Sequence, residues 1–401
     1  MGGQMRKCIA AIDTATGAAT AWDPGADSTV YSLAVGASTV YAGGVFRNIG
    51  RKARNNIAAL DAAADTAFAW NANANGAVLS LAVNGSSVYA GGEFTAIGGQ
   101  PRNYIAAIHA ATGAAVSWNP NANFRVLALS VSGTTVYAGG WFTTIGGKAR
   151  NYIAALDATT GAASSWNPNA NSSVFSLAVG GTTVYAGGAF SSIGGQTRNC
   201  LAAVDSATGA ASAWNPNANY RVLALAVSGT AVYAGGWFTT MGGQPRSYLA
   251  ALDASTGAAA PWNPNASGSV NALAVSGKTV YAGGSFAAIG QGIFHNYLAR
   301  FDESLSNPVV KPMASSPLPA GFGFAVSGGS GRVSYALPGP ARVSLRLYGL
   351  NGRIIATLLD QPQQAGRFTV ALPRGNKPLC PLIAVFKAGN FIGSKEVFII
   401  Q

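Results

Sequence analysis

Tryptophan recurs at positions 22, 70, 118, 166, 214 and 262, each 48 residues from the last. The tetrapeptide YAGG keeps the same step, beginning at Tyr41, Tyr89, Tyr137, Tyr185, Tyr233 and Tyr281. An unbroken period over six copies constrains this chain more than any other feature. Each unit must be one supersecondary element that buries its apolar face only by stacking on its neighbours. One unit reads, from Ser173, SVFSLAVGGTTVYAGGAFSSIGGQTRNCLAAVDSATGAASAWNPNAN. VFSLAV reads as a first strand, GGTT as a turn and VYAGGAF as a second strand, whose glycines allow a bulge or close strand packing. SIGGQTRN reads as a loop, CLAAVD as a third strand, DSATG as a turn, and the run to Trp214 as a fourth strand. Four short strands per unit is the arithmetic of a β-propeller blade, so six units predict a six-bladed β-propeller.

The DxxTG turn has a mechanism. Asp205 accepts backbone N–H bonds as an Asx-turn, and Gly209 takes a positive φ where the hairpin closes. Asp13 with Gly17, Asp157 with Gly161, and Asp253 with Gly257 take the same roles; Asp61 lacks the Thr-Gly pair, and His109 replaces the aspartate. The tryptophan nine residues after the aspartate is expected to pack between neighbouring blades, with sugar stacking as the other reading.

Two resemblances follow from these residues. VYAGGxFxxIGGxxRNxIAALDxxTG resembles the delta-60 type of propeller repeat of bacterial secreted and surface proteins, over residues 1–302. LDATTGAASSW also resembles the tryptophan-docking segment of quinoprotein dehydrogenases; the 48-residue unit and missing cofactor-site residues argue against that family. The expected organisation is a propeller over 1–305, a Pro/Ser-rich linker over 306–321 and an immunoglobulin-like β-sandwich over 322–401. In the last part Val343, Leu345 and Leu347 alternate with Arg342, Ser344 and Arg346, and Asn351-Gly352 is a hairpin signal. YALP (Tyr335–Pro338), VSLRLYGLNGRII, AGRF and the terminal KEVFII resemble the carboxy-terminal sorting domain of bacterial type IX secretion and the sandwich of flagellar hook-capping proteins. That resemblance implies export across an outer membrane and an extracellular or bacterial cell-surface location. PLCPLIAVFKAG replaces the usual L-x-x-G-x-Y strand.

Composition bounds the function. Only 9% of the 401 residues are charged and 49% are hydrophobic, far from a disordered chain. No apolar run reaches the ~18 residues of a membrane span. The net charge of +12 is uneven: residues 1–310 hold 15 Lys/Arg and 11 Asp/Glu (+4), residues 311–401 hold 10 and 2 (+8). A basic tail has two readings, simple solubility or an anionic partner, and no nucleic-acid-binding signature accompanies it. Cys8, Cys200 and Cys380 show neither a disulfide framework nor a zinc spacing and read as small buried hydrophobes.

Chemistry needs placed acids, bases, nucleophiles or metals. Of 13 acidic residues, six occupy the repeating turn position, and neither histidine (His109, His295) belongs to a metal-ligand pattern. The expectation is no enzyme, no catalytic residue, no metal and no cofactor. Arg6, Arg54, Arg102, Arg150, Arg198 and Arg246 recur seven residues before the turn position. They either bond loop carbonyls of neighbouring blades or form an anion or glycan face. NFRVLAL with WFTTIGG (Phe124, Arg125, Trp141) recurs 96 residues later as NYRVLAL with WFTTMGG (Tyr220, Arg221, Trp237). An aromatic beside an arginine suits sugar stacking and hydroxyl recognition, and duplication of a two-blade unit explains the same pattern without function. Arg125, Trp141, Arg221 and Trp237 are therefore the candidate ligand-binding residues. The expected job is structural or adhesive, with a second copy of the chain or an extracellular glycan as partner and no nucleic acid; the alternative is a lectin-like propeller.

Met1 falls in register with Met241, so the sequence starts inside a repeat, between the second and third strands, with no leader ahead of it. Either the start is an internal Met or an upstream part has been removed. The first strand then occurs six times and the third seven times, leaving one third strand to spare. A spare strand carries unpaired backbone groups that pair elsewhere, and strand exchange between copies builds filaments.

Overall fold

The glycine pair of YAGG sets the geometry of every blade. In blade two, β4 (Val78–Asn84), β5 (Ser87–Gly92) and β6 (Ile105–His109) form an antiparallel sheet in which β5 is central; β1 (Val30–Val35), β2 (Thr39–Gly44) and β3 (Ile57–Asp61) form blade one in the same way. A Cβ on Gly91 would lie 2.8 Å from Val126 of the next blade, so the first glycine admits the neighbouring strand. A Cβ on Gly92 would lie 2.0 Å from the Ala77 carbonyl, opposite a bulge between Val78 and Ser80. Both roles that the glycines allow are thus in use, one per glycine.

The structure is a computed structural model that describes residues 5–14, 18–290, 297–302, 323–327, 332–349, 354–371, 381–388 and 391–398. The linker expected over 306–321, and the hairpin tip Asn351-Gly352, lie outside them. The chain is all-β, and it divides into one unit of residues 1–285 and 298–305 and a second of 286–297 and 306–401. Blade three is β7 (Val126–Ser132), β8 (Thr135–Gly140) and β9 (Ile153–Asp157); blade four is β10 (Val174–Gly180), β11 (Thr183–Gly188) and β12 (Leu201–Asp205). Blade five is β13 (Val222–Ser228), β14 (Ala231–Gly236) and β15 (Leu249–Asp253); blade six is β16 (Val270–Ser276), β17 (Thr279–Gly284) and β18 (Leu298–Asp302).

Two expectations change in detail. The loop after the second strand closes as a two-residue ribbon, Ser192–Ile193 against Gln196–Thr197 in blade four. The fourth strand shrinks to a single bridge, Leu60 to Ala67 in blade one and Ile108 to Ala115 in blade two. The backbone explains why. The Ala67 N–H donates to the Gly50 carbonyl (2.9 Å), and the Phe68 carbonyl accepts from the Arg54 guanidinium (2.6 Å). Groups that a longer ladder needs are already taken.

The joint between blades two and three shows how blades are held. The Trp118 indole N–H donates to the Asp157 carbonyl at 2.8 Å. Its ring meets Tyr89 edge to face, centroids 5.0 Å apart, and the Tyr89 hydroxyl donates to the Ala158 carbonyl at 3.2 Å. The Leu129 N–H donates to the Ser80 hydroxyl at 2.9 Å. Trp22, Trp70, Trp166 and Trp214 donate in the same way to Asp61, His109, Asp205 and Asp253; Trp262 meets Phe301 edge to face instead. At the turns, Asp157 and Asp205 accept from two backbone N–H groups each, and Gly161 and Gly209 hold φ of 78° and 77°. The His109 imidazole Nδ1 accepts from Ala111 in the aspartate's place.

Packing between successive first strands runs β1–β4–β7–β10–β13–β16, and no comparable packing joins β16 to β1. On β1, Tyr31, Leu33 and Val35 are 53%, 51% and 72% exposed, whereas Leu81 and Leu129, which align with Leu33, are buried. The surplus third strand resolves at the amino-terminal end. β18 stays in blade six, while residues 5–14 and 18–26 dock on blade one as the outer half of a preceding blade: Ile9 is buried with Ala26, Phe46 and Ile49.

In the second unit two antiparallel sheets face each other. One is β19 (Gly323–Ser327), β20 (Arg332–Leu337) and β23 (Gly366–Ala371); the other is β21 (Ala341–Gly349), β22 (Ile354–Gln363), β24 (Pro381–Ala388) and β25 (Phe391–Phe398). Val333, Tyr335 and Leu337 of the first pack with Val343, Leu345, Leu347 and Phe386 of the second, the inward half of the alternation legible in the sequence.

Two measurements check this account. Gly91→Ala places a methyl against Val126, and a destabilisation of about 1–3 kcal/mol is expected in urea unfolding; an unchanged midpoint contradicts the close approach. Asp61, Asp157, Asp205 and Asp253 are held below the usual carboxylate range by the N–H and hydroxyl groups they accept from, Asp253 down to about 2. A depressed folded pKa contributes stability that is complete above the ordinary value of 3.8 and is lost as pH falls through the folded value. Stability of the repeat unit should therefore be flat from neutral pH to about 5 and decline between about 4 and 2, with a shallower decline in Asp253→Asn.

Candidate functional site: the inter-blade clefts

The third strand of each blade begins at a backbone position that ordinary residues avoid. Asn56, Tyr104, Tyr152, Cys200 and Tyr248 hold φ of 63°, 63°, 62°, 59° and 65°. In blade two the Ile105 N–H donates to the Asn103 carbonyl at 2.8 Å across Tyr104, a γ-turn with a positive central φ, and blades one, three and four repeat it. Such turns are rare and strained, and strain of this kind clusters where function is placed. The surrounding structure holds it: the Tyr104 N–H donates to the Phe94 carbonyl (2.8 Å), and the Gly92 N–H donates to the Tyr104 carbonyl (2.9 Å).

Asparagines fasten each connection across the joint. Asn123 accepts from the Thr143 and Thr144 N–H groups (2.9 and 3.0 Å) and donates to the Thr143 hydroxyl (2.8 Å). Asn103 donates to Asn121 at 2.8 Å, and Asn121 sits at φ 51°, a conformation asparagine tolerates better than most residues. These cross-ties were not legible in the sequence, because they depend on which loops the stacking brings together.

The structure gathers the candidate residues into two clusters on alternate blades. Arg125 and Trp141 are backbone neighbours just beyond the β7–β8 ladder, where the Trp141 N–H donates to the Arg125 carbonyl at 2.9 Å. Phe124 and Trp141 lie nearly parallel (14°) with centroids 6.1 Å apart, and the Arg125 guanidinium carbon is 5.5 and 5.3 Å from the two centroids. Tyr220, Trp237 and Arg221 repeat this at the β13–β14 end: 6.1 Å, 13°, and 5.6 and 5.5 Å. Trp141 and Trp237 are 40% and 43% exposed. Each cluster combines apolar ring faces with a cation at distances that give a cation–π attraction.

Their electrostatics differ. Arg125 pairs with Glu93 at 2.9 Å, an exposed ion pair of small energy. Glu93 occupies the Trp141 position one blade earlier; the residue equivalent for Arg221 is Ala189, so no carboxylate faces the second cluster from that place. The Cys200 thiol is pushed up by burial, partly opposed by the Arg221 charge. Cys8 is exposed and Cys200 half-buried, a correction to the buried-hydrophobe reading: both occupy the strained turn position. Cys380 and His295 lie outside the described residues.

The recurring arginines are structural donors. Arg54 donates to the Ala53 and Phe68 carbonyls (2.7 and 2.6 Å), Arg102 to Pro101 and Val116 (2.8 and 2.7 Å), and Arg246 to Pro245 and Ala260 (2.7 and 2.6 Å). Arg150 makes the same pair to Ala149 and Ser164. The carbonyls belong to the arginine's own blade rather than the neighbouring one, because the guanidinium caps the shortened fourth segment.

Among the described residues no three His, Cys, Asp or Glu side chains are grouped to hold a metal ion, and no helix is long and apolar enough to cross a membrane.

No curated protein sequence matches the chain. Among solved structures it is similar to the computationally designed Ika8 protein (16% identity, TM-score 0.46, 92% of this chain and 96% of that one). It is also similar to PorZ, described as an essential bacterial surface component of the type-IX secretion system of Porphyromonas gingivalis (13%, 0.40, 92% and 59%). A third is the extracellular domain of the putative hybrid two component system BT4673 from B. thetaiotaomicron (10%, 0.31, 93% and 57%). The 48-residue unit, weighed above against the quinoprotein likeness, does not place the repeats outside the related family model. Residues 3–216 match PQQ_2, described as outer membrane protein assembly factor BamB, and the chain belongs to that family.

Proposed function

We propose that this is a non-enzymatic extracellular or cell-surface protein that works as a structural and adhesive element, holding glycan through its two aromatic–arginine clusters. The observation that carries the reading is the recurrence of one cluster geometry on blades three and five, with ring faces exposed on a rigid scaffold. Exposed ring faces stack on the apolar face of a sugar while a guanidinium donates to its hydroxyls. Two such sites on one scaffold add by avidity. The acidic residues support a non-catalytic role, since Asp61, Asp157, Asp205 and Asp253 are engaged in turns. The likeness of the repeat to the delta-60 type and of the terminal segment to sorting domains supports a surface location, with an immunoglobulin-like terminal domain serving export or assembly.

A second observation favours self-association. The stretch Ile9–Ile12 aligns with Ile57–Leu60, yet no second strand lies beside it among the described residues. β18 holds Arg300 and Phe301 where β3 holds buried Ala59 and Leu60, whereas the amino-terminal stretch offers Ala11 and Ile12. Ile9–Ile12 of one copy therefore fits β17 of another better than β18 does, and such an exchange propagates into filaments.

Trp141→Val and Trp237→Val copy blade one, which has Val45 there and folds. On a glycan array each single change should weaken binding and the double change should lower it roughly 10-fold or more; undiminished binding by the double variant sinks the adhesive reading. Deleting residues 1–22 should abolish polymers seen by negative-stain microscopy, and polymers that persist after the deletion refute strand exchange.

A further inference from the structure

One joint departs from the rest. Between blades one and two lies a cleft of about 520 Å³ lined by Val45, Arg47, Asn55, Asn56, Asn73 and their neighbours. In the next joint Tyr104 stands in the place of Asn56 and Phe124 in the place of Gly76, and the two rings meet with centroids 6.0 Å apart. Asn56 and Gly76 leave that space open. Arg47 replaces the Thr or Ser that blades two to five carry at its position, and blade six has Ala287 there. Three changes in one joint, all towards room and hydrogen-bonding capacity, convert a packed seam into a polar recess.

The hydrogen-bonding groups left over define the ligand. Asn55 donates to Asn73 at 2.7 Å and Asn56 to the Ala74 carbonyl at 2.8 Å. The side-chain Oδ1 atoms of Asn55 and Asn56 and the Asn73 NH₂ remain, among the described residues, for a guest. Among the described residues the Arg47 guanidinium has no hydrogen-bond or ion-pair partner, although its backbone N–H donates to Asp27 at 2.9 Å. Asp27 also accepts from the Asn48 amide at 2.8 Å and does not line the cleft. A planar guanidinium fork matches a carboxylate, and side-chain amides, donor and acceptor at once, match adjacent hydroxyls. The volume is that of a small-molecule site.

We propose that the cleft between blades one and two binds the carboxylate-bearing sugar of an acidic glycan, with Arg47 on the carboxylate and Asn55, Asn56 and Asn73 on the hydroxyls. The inference does not rest on the aromatic clusters, which share no residue with this recess; the asparagine tie recurs beside them at Asn103–Asn121 and Asn199–Asn217, so Arg47 and the missing rings set the recess apart.

The test is calorimetric titration of the full chain with methyl glucuronide, an oligogalacturonate, methyl glucoside and inorganic sulfate. At least one uronide should bind, at least 10-fold more tightly than the neutral glucoside or sulfate. Arg47→Thr, the residue of blades two, three and five, should erase the preference for acid over neutral sugar. Asn56→Tyr, the residue of blades two, three and five at the same positive φ, should abolish uronide binding by filling the recess. Repeating the titration in the Trp141→Val/Trp237→Val background separates the recess from the aromatic clusters: uronide binding that is lost there belongs to the clusters and overturns the proposal. Three results each overturn the proposal: neither uronide binds, acid and neutral sugar bind alike, or sulfate binds as tightly as the uronides. Uronide binding that survives Asn56→Tyr places the ligand elsewhere and overturns it too.

Discussion

Every joint of the repeat rests on one close approach: a glycine backbone of one blade lying against a valine of the next. Gly43, Gly91, Gly139, Gly187 and Gly235 all face a valine so near that a methyl group would collide with it. At that separation the tryptophan reaches a carbonyl on the following blade and the tyrosine hydroxyl reaches another, so hydrophobic contact and hydrogen bonding are satisfied together. The 48-residue period is the sequence image of this contact. Changing the spacing by one residue would carry the indole N–H away from that carbonyl.

That is why so much of the fold was legible. Strands, turns and the aspartate acceptors are local, and their residues announce them. Alternation in Val343, Leu345 and Leu347 likewise marked an inward face that burial reproduces. The fourth strand was misread because its competitors are distant: Arg54 takes the Phe68 carbonyl fourteen residues on, and no local propensity signals that. The arginine ladder was legible as a row but not as to its partners, since only the folded blade decides whether a guanidinium meets its own carbonyls or a neighbour's.

The clefts divide in the same way. Phe124, Arg125 and Trp141 stood out because they break the repeat twice in the same manner, and the β7–β8 pairing brings the distant members together. The recess at Arg47 broke the repeat only once, through changes that look unremarkable singly. Asn56 and Gly76 acquire meaning only when the structure shows that Tyr104 and Phe124 fill the same space one joint later. Departure from the repeat was the usable signal in both cases. What separates them is that an added aromatic is conspicuous in a sequence and a missing one is not.

The positive-φ residue ahead of each third strand has a consequence for how such a protein diversifies. The residue there varies freely among Asn, Tyr and Cys, yet its backbone conformation is the same in every blade. Glycine would relax it and would leave the cleft without a side chain. Each blade therefore carries a standing conformational debt at the one place where its neighbouring recess can be redecorated. The uniform joints around it make that debt tolerable. A lineage of such repeats can change what individual clefts recognise, blade by blade, while the packing that holds the array together stays untouched.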